Sequence, residues 1–188
     1  MLLTSIEFNA LCEDATVYLD TNVFIYAHEQ PELVEKIANL TTAGTAFATI
    51  SSVEYEFTRG AQSLLEIKTR KQFLRGLVCR VIPVGPLLES DTNDAFSAAM
   101  SLNVNRKNSQ YTDFLLAIVL HKYSVNDLER QFILTADVPA FPPQMFNVEG
   151  VLSLRLENTS IVHLNLISLD KDKYLSIINK IVTTNKGA

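Results

Sequence analysis

The 188-residue chain predicts an α/β fold, a mostly parallel β-sheet flanked by helices in a single domain. Two observations carry that expectation. Short apolar runs rich in strand-forming residues recur at 17–19, 46–50, 81–84 and 131–135, and stretches with apolar residues at helical spacing separate them. Such alternation is the signature of parallel βαβ units. The second is the stretch Thr16–Glu29, TVYLDTNVFIYAHE, in which a buried-strand run stops at Asp20 and a helix begins at once with Thr21 and Asn22. A carboxylate at the end of a strand and the start of a helix lies on the rim of an open α/β sheet, where such sheets place their sites. Capping the helix is the competing role for Asp20.

Composition bounds the problem. An apolar fraction of 47% and a charged fraction of 20% are those of a folded chain with a substantial core. No apolar run approaches the roughly 18 residues a membrane span requires, and MLLTSIEFNA has no basic region before its apolar residues, so neither a membrane span nor a signal peptide is expected. Cys12 and Cys79 lack metal-site spacing and fit a reducing cytoplasm, with a single disulfide as the alternative. The net charge of −5 argues against a protein that coats nucleic acid by electrostatics alone. Charge is nevertheless uneven. Residues 57–88 carry Arg59, Lys68, Arg70, Lys71, Arg75 and Arg80 against Glu66, either a phosphate-facing stripe or an ordinary solvated helix surface.

In chain order, residues 1–15 read as a lead-in with a short helix. After the opening strand and helix, Pro31 starts a second helix with Leu33, Val34, Ile37, Ala38 and Leu40 on one side. Ala46–Ile50 is a strand, and Ser51 or Ser52 caps a helix carrying Val53, Phe57, Ala61, Leu64 and Leu65 that continues through the basic segment to Gly76. Strand 81–84, a helix over 91–102 and a polar loop over 103–110 follow. Tyr111–Tyr123 is a helix whose middle, FLLAIVL, is apolar on every side and therefore buried. Gln131–Thr135 is a strand leading to Asp137, and Pro139, Pro142 and Pro143 then bar regular structure. Alternation makes a strand of at least one of 148–156 and 161–169, and the chain closes with a helix over 174–182.

Three carboxylates fall at comparable places: Asp20 after the first strand, Asp137 after a late strand, and Asp113 in the first turn of the buried helix. Parallel strands end on one edge, so Asp20 and Asp137 are expected as neighbours. Asp113 has a favourable helix-dipole interaction as its ordinary explanation. Carboxylates gathered together repel, and oxygen ligands relieve that repulsion best with a hard divalent ion, Mg²⁺ or Mn²⁺. A fourth acid comes from the helix after Ala46–Ile50. Helical periodicity turns Glu54 inward and puts Glu56 on the flank of the apolar stripe.

These pieces resemble the PIN-domain nucleases, and among them the VapC-type toxins. VYLDTNVFIY, EFTRG at 56–60, DFLLAIVL at 113–120 and ILTAD at 133–137 occur in the family's order and span residues 16–141. The resemblance implies a PIN-like α/β/α sandwich over 1–188, with residues 146–188 as a C-terminal strand and helix extension. It implies a metal-dependent endoribonuclease acting on RNA from the cytoplasm, with Asp20, Glu56, Asp113 and Asp137 as catalytic and metal-holding acids and one or two Mg²⁺ or Mn²⁺ ions. The family pattern selects Glu56 over Glu54, with Gly60 leaving room for a ligand beside it. Thr21, Asn22 and Thr135 are expected to orient those acids, and Arg59, Lys68, Arg70 and Lys71 to contact RNA. An antitoxin protein and a second copy of the chain are the implied partners. The family often ends its late strand in Asp-x-Asp-Phe; here Asp137-Val138-Pro139-Ala140-Phe141 lacks the second acid.

Other chemistry is poorly represented. His28, His121 and His163 have no partner at ligand spacing, and neither cysteine has a neighbouring base. Neither a phosphate-cradling glycine loop nor a Gly-x-Ser-x-Gly elbow is present.

Overall fold

A computed structural model describes residues 5–85, 96–101, 110–126, 130–157 and 159–184. The chain runs α1 (Ser5–Cys12), β1 (Ala15–Leu19), α2 (Thr21–Glu29), α3 (Pro31–Thr42), β2 (Ala46–Ile50), α4 (Ser51–Arg59), α5 (Leu64–Leu77) and β3 (Arg80–Ile82). A short helix, α6, covers 96–101. Then come α7 (Tyr111–Asn126), β4 (Arg130–Thr135), a 3-10 turn (Val138–Ala140), β5 (Phe146–Arg155), β6 (Ile161–Leu169) and α8 (Lys171–Thr184). The expected α/β class is the one observed: a mostly parallel sheet flanked by helices. Most of the loop read at 103–110 lies outside the described residues, as does the start of the helix read at 91–102.

All six strands join one sheet in the order β3-β2-β1-β4-β6-β5. The first four are parallel, and β6 pairs antiparallel with β4 and with β5. Both late segments are therefore strands, and they form a hairpin that completes the sheet. Every residue of β1 is buried, as a strand covered on both faces requires. Right-handed crossovers place the helices of the β1-to-β2 and β2-to-β3 connections on one face and those of the β3-to-β4 connection on the other. Strand order reverses between β1 and β4. That switch point opens a crevice at the carboxyl ends of these two strands, the place where open α/β sheets bind their ligands.

The helix read as continuous from Ser51 to Gly76 is two helices. The chain leaves α4 at Gly60, and Ser63 starts α5 by accepting the Glu66 backbone N–H (3.1 Å), while the Glu66 carboxylate accepts the Gln62 N–H (2.8 Å). This reciprocal capping outweighs continuous apolar periodicity, and it leaves Leu64 and Leu65 exposed. Neither Ser51 nor Ser52 caps α4. Ser51 instead accepts the Val84 N–H (3.2 Å), tying the helix start to the chain beyond β3.

The apolar helix α7 is buried as expected, with Leu115 through Leu120 inaccessible. On α7, His121 stacks on Phe96 (4.5 Å between centroids) and meets Tyr174 of α8 edge-on (4.7 Å), so α8 closes over the hairpin's end of the core. Burial pushes the His121 imidazole down to about 4. Cys12 is buried, Cys79 is exposed, and both are free thiols, so the two are not joined in a disulfide. Among the described residues no helix is long and apolar enough to cross a membrane.

Candidate active site: an acidic pocket at the sheet's switch point

Asp20 follows β1 and caps α2, the competing role weighed for it from sequence, and it also lines the pocket. One carboxylate oxygen accepts the Thr21 N–H (2.6 Å). The other accepts the Asn22 side-chain amide (2.5 Å) and the Thr135 hydroxyl (2.6 Å). Thr135 is the last residue of β4, and its own oxygen accepts the Asp137 backbone N–H (2.9 Å) and the Asn22 amide (3.1 Å). Asn22 completes the link by accepting the Ala136 N–H (2.9 Å). These short polar side chains bolt the ends of β1 and β4 together, so the positions of Asp20 and Asp137 are set by one network. The orienting roles expected of Thr21, Asn22 and Thr135 correspond to contacts each of them makes.

Glu56 reaches the same place from α4. Its carboxylate accepts the Thr21 hydroxyl (2.7 Å) on one oxygen and the Thr112 hydroxyl of α7 on the other. Asp113, third residue of α7, accepts the Gln110 N–H (2.7 Å), the side-chain half of a capping box. Asp20, Glu56, Asp113 and Asp137 then line one cavity of about 280 Å³ with Thr21, Asn22, Ile25, Arg59 and Gln110. Four acids drawn from sequence positions up to 117 residues apart share a pocket.

Periodicity turned Glu54 inward, and it is inward, but not into the pocket. It is buried against α5, where Arg75 (3.1 Å) and Lys71 (3.2 Å) pair with it. Glu54 pins α4 to α5; Glu56 serves the pocket. A Cβ at Gly60 would meet only the Arg70 guanidinium, at an ordinary contact of 3.5 Å. Two separable outcomes follow. Glu54→Gln should lower the melting temperature by roughly 2–4 °C, about 1 kcal/mol for a pair whose basic partners face water, with Mn²⁺ affinity unchanged. Glu56→Gln should weaken Mn²⁺ binding by at least about tenfold with little change in melting. Thermal melts beside a Mn²⁺ titration check both.

The electrostatics register the convergence. Burial raises the Asp113 carboxyl to about 7, the Gln110 N–H opposes that rise, and the charges of Asp20, Asp137 and Glu56 add to it. Asp20 is also raised, first by burial, against the opposing hydrogen bonds from Thr135, Thr21 and Asn22 and with Glu56 adding to the rise. Asp113 thus feels the other three as like charges, and Asp20 feels Glu56. As arranged, oxygens of Asp20, Glu56 and Asp113 accept from hydroxyl, amide and backbone N–H donors, and among the described residues no group of three His, Cys, Asp or Glu side chains stands ready to hold a metal ion. The donor set itself fits one: the acids are all oxygen ligands and mutually repelling, and none is charge-paired with a Lys or Arg among the described residues.

The basic segment divides. Arg70 pairs with Glu66 (2.6 Å) and donates to the Phe57 carbonyl (3.0 Å), and Lys71 pairs with Glu54, so both are held within the fold. Lys68 is exposed on α5 and Arg59 lines the acidic pocket. His28 packs edge-on against Phe57 and Phe73, His163 meets Ser153 across the hairpin, and neither enters the pocket. Thr112, Gln110 and Ile25 are the residues at the pocket that sequence reasoning missed; for the first two the signal is adjacency to Asp113 at a helix start.

Comparison of the chain with models of protein families, with characterised proteins and with solved structures finds no match.

Proposed function

We propose that the protein is a metal-dependent endoribonuclease, hydrolysing RNA phosphodiester bonds in the manner of the PIN-domain nucleases that its sequence resembles. The observation that carries this reading is the meeting of Asp20, Glu56, Asp113 and Asp137 in one pocket at the sheet's switch point. Asp20, Asp113 and Asp137, with Glu56, would hold one or two Mg²⁺ or Mn²⁺ ions. A bound ion of that kind supplies a more acidic water and stabilises charge on phosphorus oxygens.

The chain's own groups do the positioning. Thr135 holds Asp20 and the Asp137 backbone at a fixed separation, Thr21 and Thr112 fix both oxygens of Glu56, and Gln110 fixes one oxygen of Asp113. Such preorganisation lets a scissile phosphate meet its ligands without rearrangement of the backbone. The resemblance adds a role as the cytoplasmic toxin of a toxin–antitoxin pair, working as a homodimer with an antitoxin protein for partner.

A second reading, a PIN-like binding or regulatory module without catalysis, draws on the Val138 and Pro139 that follow Asp137 and on the acids' engagement with protein donors. One experiment separates the two. Under the nuclease reading, Mn²⁺ at 100 times its dissociation constant stabilises the fold by about 2.7 kcal/mol, and the loaded protein cleaves RNA in a reaction that EDTA stops. If Mn²⁺ neither raises the melting temperature nor supports cleavage, the module reading replaces the nuclease.

A further inference from the structure

One charged side chain of the pocket has no task in the reaction above. Arg59 lines the cavity alongside the four carboxylates, is exposed, and forms no ion pair among the described residues. Of the basic residues that follow it, Arg70 pairs with Glu66, and Lys71 and Arg75 pair with Glu54. A guanidinium left open at the mouth of an acidic cavity is placed to meet an anion arriving from outside, since the acids within would repel that anion.

Its neighbours on the helix say more. At about 100° per residue, Arg59 falls between Glu56 and Tyr55 around α4, roughly 60° from the first and 40° from the second. Tyr55 is 69% exposed, a large ring facing water one helical turn before Arg59. Tyr111, 65% exposed, begins α7 immediately before Thr112, the residue that donates to Glu56. Around α4 the order is therefore a carboxylate and a guanidinium, both lining the pocket, and next to them, outside its lining, an aromatic ring.

We propose that Arg59 and Tyr55 form the seat for the nucleotide beside the bond to be cut, the guanidinium gripping its phosphate and the ring carrying its base. The proposal rests on the nuclease reading of the pocket. The planar fork of an arginine matches phosphate oxygens two at a time, and it brings positive charge to a chain whose net charge is −5. Stacking on Tyr55 requires a base with a free face, so the seat selects single-stranded over paired nucleic acid. A protein surface docking here would draw instead on Leu64 and Leu65, exposed at the start of α5. Phosphate and base are favoured because cation and ring share one face of α4, the order in which a nucleotide presents its own charge and ring.

The test is fluorescence anisotropy of a short fluorescein-labelled oligouridylate bound to the full chain in Ca²⁺, with a duplex of equal length for comparison. Arg59→Ala should weaken binding of the single strand by about 10–100-fold and reduce the slope of log affinity against log salt by about 0.7. Arg59→Lys should restore the slope but not the full affinity. Tyr55→Ala should weaken single-strand binding by at least about fivefold and leave the duplex unchanged, and Tyr55→Phe should restore it. Wild-type affinity and slope in both alanine variants overturn the proposal. So does an oligouridylate that fails to bind wild-type protein at low salt, or alanine variants that lose only self-association in sedimentation, which would give the face to a protein contact. The nuclease reading fails separately, by absent Mn²⁺-dependent cleavage in a protein that still binds oligouridylate through Arg59.

Discussion

Asp20→Asn should reduce Mn²⁺-dependent RNA cleavage by at least about a hundredfold, because changes to groups that merely support a metal's ligands already cost 10–100-fold. The fold should survive. Asparagine caps a helix as well as aspartate, and its carbonyl oxygen still accepts the Thr21 N–H. Two conflicts appear at the other atom. The new amide nitrogen cannot accept from the Asn22 amide 2.5 Å away, and the Thr135 hydroxyl, which donated to the carboxylate, already accepts from Asp137 and Asn22 and must give up one of these to accept from it. Each loss costs about 1 kcal/mol, and the removal of a buried charge offsets them. The metal-free variant should therefore melt within a few degrees of the wild type while its Mn²⁺-induced rise disappears. Undiminished cleavage would take Asp20 out of the mechanism. A variant that no longer melts cooperatively would make Asp20 a structural residue first.

How far the sequence foretold this site depends on the kind of information each residue carries. Asp20 and Asp137 were readable because a strand's end is marked locally, by the stop of an apolar run, and parallel topology does the rest. Asp113 was readable because the seven apolar residues after it fix the helix that carries it. Glu56 was not readable from periodicity, which describes what faces the core; Glu54 does face the core, and its partners Lys71 and Arg75 belong to a helix whose separate start was not foreseen. Capping by Ser63 and Glu66 was written in the sequence as Ser-x-x-Glu, yet the apolar spacing through Leu64 and Leu65 outvoted it. The same missed break misread the basic stripe. Three of its cations, Arg70, Lys71 and Arg75, hold α5 to α4, and that depends on pairings between elements, which no local pattern records. Thr112 and Gln110 were missed for a related reason, since their function consists of reaching a partner that is distant in the chain.

Asp113→Asn should stabilise the metal-free protein above neutral pH while abolishing its response to Mn²⁺. Burial and three neighbouring acids raise this carboxyl from its ordinary range to about 7, so between those limits the native state holds a proton that the unfolded chain has released. Its contribution is fully present below the ordinary range and is lost as pH rises through 7; at pH 8 the fold carries an ionised group that it disfavours. Three pH units set a ceiling of about 4 kcal/mol. Sharing of charge around the pocket and its opening to solvent bring the expected gain for Asn to roughly 1–2 kcal/mol, about 3–6 °C in a domain of this size. The amide keeps the Gln110 contact, because its carbonyl oxygen accepts the same N–H. His121, held neutral by burial, pulls the opposite way below about pH 6.5, losing stability as acid rises. It is common to both proteins, so the difference in melting temperature at each pH isolates Asp113. The gap should widen from pH 5 to pH 8 and reverse sign once Mn²⁺ is added, because the cation rewards only the chain that keeps the carboxylate. A gap that stays flat with pH, or an Asn variant that still gains stability from Mn²⁺, would mean that Asp113 does not share the pocket's charge.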